Sequence, residues 1–255
     1  MNKYFDFKRF IKLFTTELSE KIHFILKFAA VLCLIMIAFW LLGKLLFFAL
    51  GAGFNLTDSS ARVSYITFSY FLTALLAPFA LYKNINHPKK GVDYAILPAS
   101  INEKFVSMLV NTVIVAPLII FISLITINFL TIFIGSFRFG ESLTEIGVLF
   151  NQDLFDIIIS VLGVQALFIF GNTFFMKSKA IKTIMFVALF YIMLVIIGSV
   201  LMHSFGFKDP HRIMENPEIY KNFVTYKSVT KWLVLGLQFC FILFSYIRFK
   251  TLQYK

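Results

Sequence analysis

Apolar residues in this chain fall in continuous blocks, not in the alternation of a half-buried strand. Six blocks approach the roughly 20 residues needed to cross a hydrocarbon core. They are Phe24–Leu50, Ser64–Tyr82, Phe105–Ile134, Leu154–Phe175, Thr183–Met202 and Trp232–Ile247. The fourth carries Asp156 near its start, and the sixth is short with Gln238 in its middle. In lipid, backbone groups must be satisfied within their own segment, so each block predicts a helix. A barrel would show short alternating strands instead. The predicted fold is an all-α integral membrane protein with six transmembrane helices over residues 24–255. An N-terminal interfacial amphipathic helix over residues 1–23 precedes them.

That first helix is read from Phe7, Phe10, Ile11, Phe14 and Leu18, which recur at helical spacing. Lys8, Arg9, Lys12 and Glu20 fall mainly on the other face, the pattern of a helix lying in the headgroup region. It is either an anchor for the first span or a lever moved by a cytosolic partner, and one helix can be both.

Composition sharpens the picture. The 255 residues are 59% apolar and 15% charged, against about 45–50% and about 25% in soluble domains. This excludes an ordinary cytosolic enzyme, a disordered tail and a secreted disulfide scaffold. The net charge of +11 lies between the apolar blocks, so anionic lipid is the expected partner and nucleic acid is not. Cys33 and Cys240 each sit inside an apolar block, which suggests neither a disulfide framework nor a zinc site. Lys and Arg number fifteen in the N-terminal segment, the even loops and the tail, against seven in the odd loops. By the positive-inside rule both termini are cytoplasmic. The first block is too long for a signal-peptide core and reads as a retained span.

Between the second and third blocks lies the most informative segment, Gly91 to Phe105. Ser100 and Glu103 form an S-x-x-E capping box, in which each side chain satisfies an orphan amide of a helix start. Pro98 keeps Leu97 extended. A helix is expected from about Ile101 to Ile134, roughly 50 Å at 1.5 Å per residue, longer than the roughly 30 Å hydrocarbon core. Asn111 near its start and Pro117 inside it point to a protruding, bent helix.

Tyr94, Leu97-Pro98-Ala99-Ser100 and Glu103-Lys104-Phe105, set ahead of the third of six spans, resemble permease subunits of type-2 ATP-binding-cassette (ABC) exporters. The nearest likeness is to the small permeases common in Bacteroidetes. The resemblance implies a permease in the cytoplasmic membrane that pairs with a second permease, identical or not. It also implies a separate ATPase subunit, carrying the ATP and Mg, that contacts the 83–104 segment. Tyr94, Pro98, Ala99, Ser100, Glu103 and Lys104 are the implied contact candidates, none of them catalytic, and no cofactor is expected on this chain. In keeping with this, the sequence has no G-x-x-x-x-G-K-[ST] phosphate loop; the only Gly-Lys pair, Gly43-Lys44, is followed by Leu45.

In the exterior loop 203–231, Asp209-Pro210 and Asn216-Pro217 each pair a capping residue with a proline at the first helical position, predicting two short helices. His211 and Glu215 are four apart and compatible with a metal, though solvated polar residues explain them as well. Within the spans Lys44, Asn128, Gln165, Asn172 and Gln238 are polar exceptions. Such groups line a path or join helices, and Lys44 is expected to snorkel to the outer interface. Ser160, Gly163, Leu167 and Gly171 share one face of the fourth span and would admit another helix closely. Gly163, Gln165, Gly171 and Asn172 are therefore packing or pathway residues. Two other functions compete with the exporter permease: a six-span substrate-binding subunit of a vitamin or metal uptake transporter, and an integral membrane enzyme. The enzyme needs clustered catalytic groups at membrane depth, and none of the four His has such a neighbour within a span.

Overall fold

No glycine or proline falls between Phe7 and Leu42, and a single helix, α1, runs unbroken over Phe7–Leu50. The structure, a computed structural model, describes residues 5–50, 59–86, 91, 94, 96–139, 152–204 and 217–252. After α1 come α2 (Ser59–Leu81), α3 (Ile101–Leu109), a π-helical turn (Val110–Val115) and α4 (Ala116–Phe139). Then follow α5 (Gln152–Phe174), α6 (Lys179–Ser204) and α7 (Pro217–Leu252). No strand occurs among the described residues.

Five of these helical stretches are long and apolar enough to cross a membrane: Phe7–Leu46, Ala61–Leu81, Ile101–Phe137, Lys179–Val200 and Ser228–Leu252. A shorter apolar stretch, Ile159–Phe174, lies in α5 where the fourth span was expected. The chain is thus an all-helical protein with the makings of a multi-pass membrane protein. Almost no side chain of Lys179–Val200 is buried, although the stretch is strongly apolar. Lipid is the solvent such a surface requires.

Two expected boundaries are absent. The N-terminal amphipathic segment is continuous with the first span, because nothing between Ser19 and Phe28 can stop a helix. At 44 residues, α1 is roughly 66 Å long, more than the roughly 30 Å of a hydrocarbon core. Likewise Pro217 opens a helix, as its position predicted, but that helix continues into the last span. Asp209-Pro210, His211 and Glu215 lie outside the described residues.

The bundle packs around α2 and α5. On one side, Ile25, Ala29, Leu32 and Met36 of α1 meet Ile66 and Ala77 of α2 and Ala116, Ile120 and Leu124 of α4. The α1 residues repeat at i, i+4, i+7 and i+11, one face of a helix. On the other side α5 packs against α2, α6 and α7. It is the most enclosed helix, with Val161, Ala166, Leu167, Phe168 and Ile169 all buried. A four-residue turn joins α5 to α6, in which Ser178 takes a left-handed φ of 50° and its carbonyl accepts Lys182 N–H at 3.0 Å.

Where the sequence predicted a bend near Pro117, the structure has a π turn over Val110–Val115. In an α-helix the Pro117 ring would strike the Val113 carbonyl. Instead the chain widens, and Ala116 N–H bonds to Asn111 O, five residues back. The extra residue relieves the clash and re-aims α3 relative to α4.

Candidate functional site

The polar residues of this chain collect at the end of the bundle where α1 and α3 begin. The capping box read from sequence is complete: Ser100 Oγ accepts Glu103 N–H at 3.3 Å, and Glu103 Oε2 accepts Ser100 N–H at 2.8 Å. The other oxygen, Oε1, reaches a second helix start. It accepts the Asp6 backbone N–H at 2.7 Å and Arg9 Nη2 at 3.0 Å. Asp6 in turn caps α1, its Oδ1 accepting the N–H groups of Lys8 and Arg9. One carboxylate therefore closes two helix N-termini, where negative charge is favoured.

Deeper in the same end, Glu17 of α1 is 4% exposed and joins three further elements. Its Oε2 accepts from Tyr82 Oη at 2.5 Å, Ser107 Oγ at 2.9 Å and Asn111 Nδ2 at 3.3 Å. Lys21, one turn along α1, lies 3.3 Å from the same oxygen and 3.5 Å above the centre of the Tyr82 ring. Asn111 also donates to Tyr82 Oη at 2.9 Å. A buried carboxylate is tolerable only with such partners.

Aromatic rings extend the joint to α7. Tyr94 stands edge-on to both Tyr82 and Phe249, and Phe105 packs on Tyr246 and Phe249. Tyr246 Oη donates to Asn102 Oδ1, and Tyr94 Oη to the Lys104 carbonyl at 3.1 Å. Burial, reinforced by the nearby Glu17 charge, pushes the Tyr94 phenol well above its ordinary range, so it stays a neutral donor.

The six contact candidates divide sharply. Glu103 and Lys104 are fully buried, and Ala99 and Ser100 nearly so. Their side chains face the protein's own helices and offer no surface to another molecule. Tyr94 is half-buried and Pro98 exposed. The most exposed apolar side chain of the turn is Ile96, at 74%, which the sequence reading passed over. Of the N-terminal stripe, Phe7 and Ile11 are exposed, while Phe10 and Phe14 are partly covered and stack on each other at 6.0 Å.

Gly163, Gln165, Gly171 and Asn172 all lie against other helices. A methyl at Gly163 would overlap Gln238 and Leu235 of α7, and one at Gly171 would overlap Thr183 of α6. Gln165 Nε2 donates to the Thr112 carbonyl at 2.8 Å. In the π register that carbonyl would bond to residue 117, a proline with no N–H. Gln165 thus satisfies the acceptor that Pro117 orphans. Asn172 Nδ2 donates to the carbonyls of Pro78 at 2.8 Å and Tyr82 at 3.4 Å. In return, Asn86 Nδ2 donates to the carbonyls of Asn172 and Thr173 at the end of α5 and of Phe175 just past it. Lys179 Nζ closes this lock on Lys83 O at 2.6 Å and Asn172 Oδ1 at 3.3 Å. These polar groups join helices.

Glu17, Tyr82 and Ser107 escaped the sequence reading. Glu17 lies three residues after Phe14 and four before Lys21, which places it on the inward stripe of α1. That arithmetic was the available signal. Among the described residues no group of three or more His, Cys, Asp or Glu is placed to hold a metal. No family model matches this chain, and no curated protein or solved structure matches it either.

Proposed function

We propose that this chain is the transmembrane permease subunit of an ABC-type exporter. It moves an amphipathic or lipid-like substrate across the cytoplasmic membrane, as one of two permeases, with both termini in the cytoplasm. The ATP and Mg belong to a separate ATPase subunit, which contacts the 83–104 segment. The observation that carries this reading is the two-sidedness of the Ile96–Lys104 turn. Ile96 and Pro98 face outward, while Ser100, Glu103 and Lys104 are turned into the bundle.

Such a turn suits the relay of a push. Contact is made by Ile96 and Pro98, and displacement passes through Glu103 to the start of α1. It passes through Ser107 and Asn111 to Glu17 and Tyr82, and through Asn102 and Phe105 to α7. The π turn at Val110–Val115 supplies the hinge. Glu103 and Lys104 act in this scheme as positioning residues, not as contact surface.

The test is a photo-crosslinking amino acid at position 96 in native membranes. Capture of a soluble protein with a phosphate loop supports the reading. Capture of lipid alone, with a control crosslinker at Pro98 giving the same, removes this turn as the contact.

A further inference from the structure

Between α1, α2 and α4 lies a cavity of about 130 Å³. Phe24 and Phe28 of α1, Leu76, Ala77 and Ala80 of α2, and Ala116 of α4 supply most of its wall, and the small alanines leave the space. The Thr73 hydroxyl in the same wall already donates to the Ser69 carbonyl at 2.7 Å, so the lining acts as an apolar one. Ala77 and Ala116 are buried and form the floor, whereas Phe24, at 52%, and Leu76, at 37%, stand exposed at the mouth. All three helices carry stretches apolar enough to cross a membrane, and the mouth opens sideways, toward lipid. An apolar cavity of roughly 150 Å³ stays dry and takes up a hydrocarbon group.

Beside the mouth, α1 carries a row of polar side chains. Glu20, His23 and Lys27 are exposed and recur at i, i+3 and i+7, one face of a helix. Phe24 stands four residues after Glu20 and three before Lys27, so the row borders the mouth. Lys21 lies off this row and is held by Glu17 at 3.3 Å.

The charges of the row are ordered. The apolar block of α1 begins at Phe24, which puts Lys27 on the bilayer side and Glu20 beyond it. The Lys27 stem leans toward the helix N-terminus and carries its ammonium back to headgroup level. In a zwitterionic phospholipid the phosphate is nearer the acyl chains and the amine further out, the matching order. Glu20 and Lys27 are roughly 10 Å apart along the axis, the reach of a phosphate and an amine two carbons away with a hydrogen bond at each end. A primary ammonium can donate to the Glu20 carboxylate; a quaternary one has no N–H, and a glycerol headgroup has no positive charge.

We propose that this groove binds phosphatidylethanolamine. One acyl chain enters past Phe24 and Leu76, Lys27 and His23 hold the phosphate, and Glu20 holds the ammonium. The site needs no ATPase, and its failure would leave the permease reading untouched.

The full-length chain in mild detergent would be titrated with phosphatidylethanolamine, phosphatidylcholine and phosphatidylglycerol of identical acyl chains. Native mass spectrometry would count the first lipid bound. The expected result is half-saturation by phosphatidylethanolamine at about tenfold lower concentration than by either other lipid, the preference one charge-assisted hydrogen bond confers. Glu20→Gln should bring phosphatidylethanolamine to the level of phosphatidylcholine. Glu20→Lys should shift the preference to phosphatidylglycerol, a reversal that loss of the fold cannot produce. Ala80→Phe, at an exposed position of the rim, fills the mouth and should weaken the binding of all three. Equal half-saturation by the three lipids overturns the proposal, as does a preference that survives Glu20→Gln. Undiminished binding in Ala80→Phe places the lipid elsewhere and overturns it as well.

Discussion

Glu103 accepts the backbone N–H of Asp6 at 2.7 Å across 97 positions of sequence. With its other oxygen on Ser100 N–H, the same carboxylate fixes the starts of α1 and α3 to each other. This makes the two segments one mechanical unit.

Glu103→Ala should therefore loosen both segments together. Each lost cap hydrogen bond costs about 1 kcal/mol, and loss of the partly exposed Arg9 contact adds less, because its side chain is 32% exposed. Hydrogen exchange read by mass spectrometry should speed up in residues 5–10 and in 100–105 to the same extent. Faster exchange in only one of them contradicts a shared cap.

Gln165 and Pro117 are predicted to be coupled. Gln165→Leu leaves the Thr112 carbonyl without a donor, at a cost of about 1–2 kcal/mol. In a Pro117→Ala background, residue 117 regains an N–H that can serve the same carbonyl. The cost of Gln165→Leu should then fall by at least ~0.5 kcal/mol in a double-mutant cycle of detergent unfolding. Strict additivity would show that Gln165 plays another part.

The glycines give a contrast within one chain. Gly163→Ala and Gly171→Ala must displace Gln238 and Thr183, and overpacking of this kind costs about 1–3 kcal/mol. Gly198 and Gly236 have open space where a methyl would go. Alanine there should be neutral, or stabilising by up to about 1 kcal/mol through helix propensity. Thermal midpoints of the four single variants in one detergent test the ordering. Equal losses at all four would refute the assigned helix contacts.

Much of this was legible from sequence wherever one local rule decides. The S-x-x-E spacing of Ser100 and Glu103 gave the start of α3, because a capping box is satisfied within four residues. Pro117 marked the break in the α-helical pattern, because its ring and missing N–H act on the preceding turn. Gly163 and Gly171 were placed on one face by helical period alone, and a methyl at either would meet a neighbouring helix. What local rules do not specify is partnership at long range. Asp6 with Glu103, Glu17 with Tyr82, and Gln165 with Thr112 are set by tertiary packing. Helix ends were misplaced for a related reason. A change from polar to apolar residues near Phe24 or Trp232 changes the solvent a helix meets, but it breaks no backbone hydrogen bond. Side-chain direction in the candidate contact segment is likewise beyond a local rule. A motif names Glu103 and Lys104 without saying that both point inward.

The central claim is that this chain works with an ATPase held at the Ile96–Lys104 turn. The most direct measurement is purification of the tagged chain from native membranes in mild detergent, with quantitative mass spectrometry of what stays bound. The account predicts a soluble protein with a phosphate loop, near one copy per permease, and its loss in Ile96→Asp while the variant still folds. A clean chain with no ATPase, or one holding only a small ligand, would contradict the exporter reading and favour a substrate-binding membrane subunit.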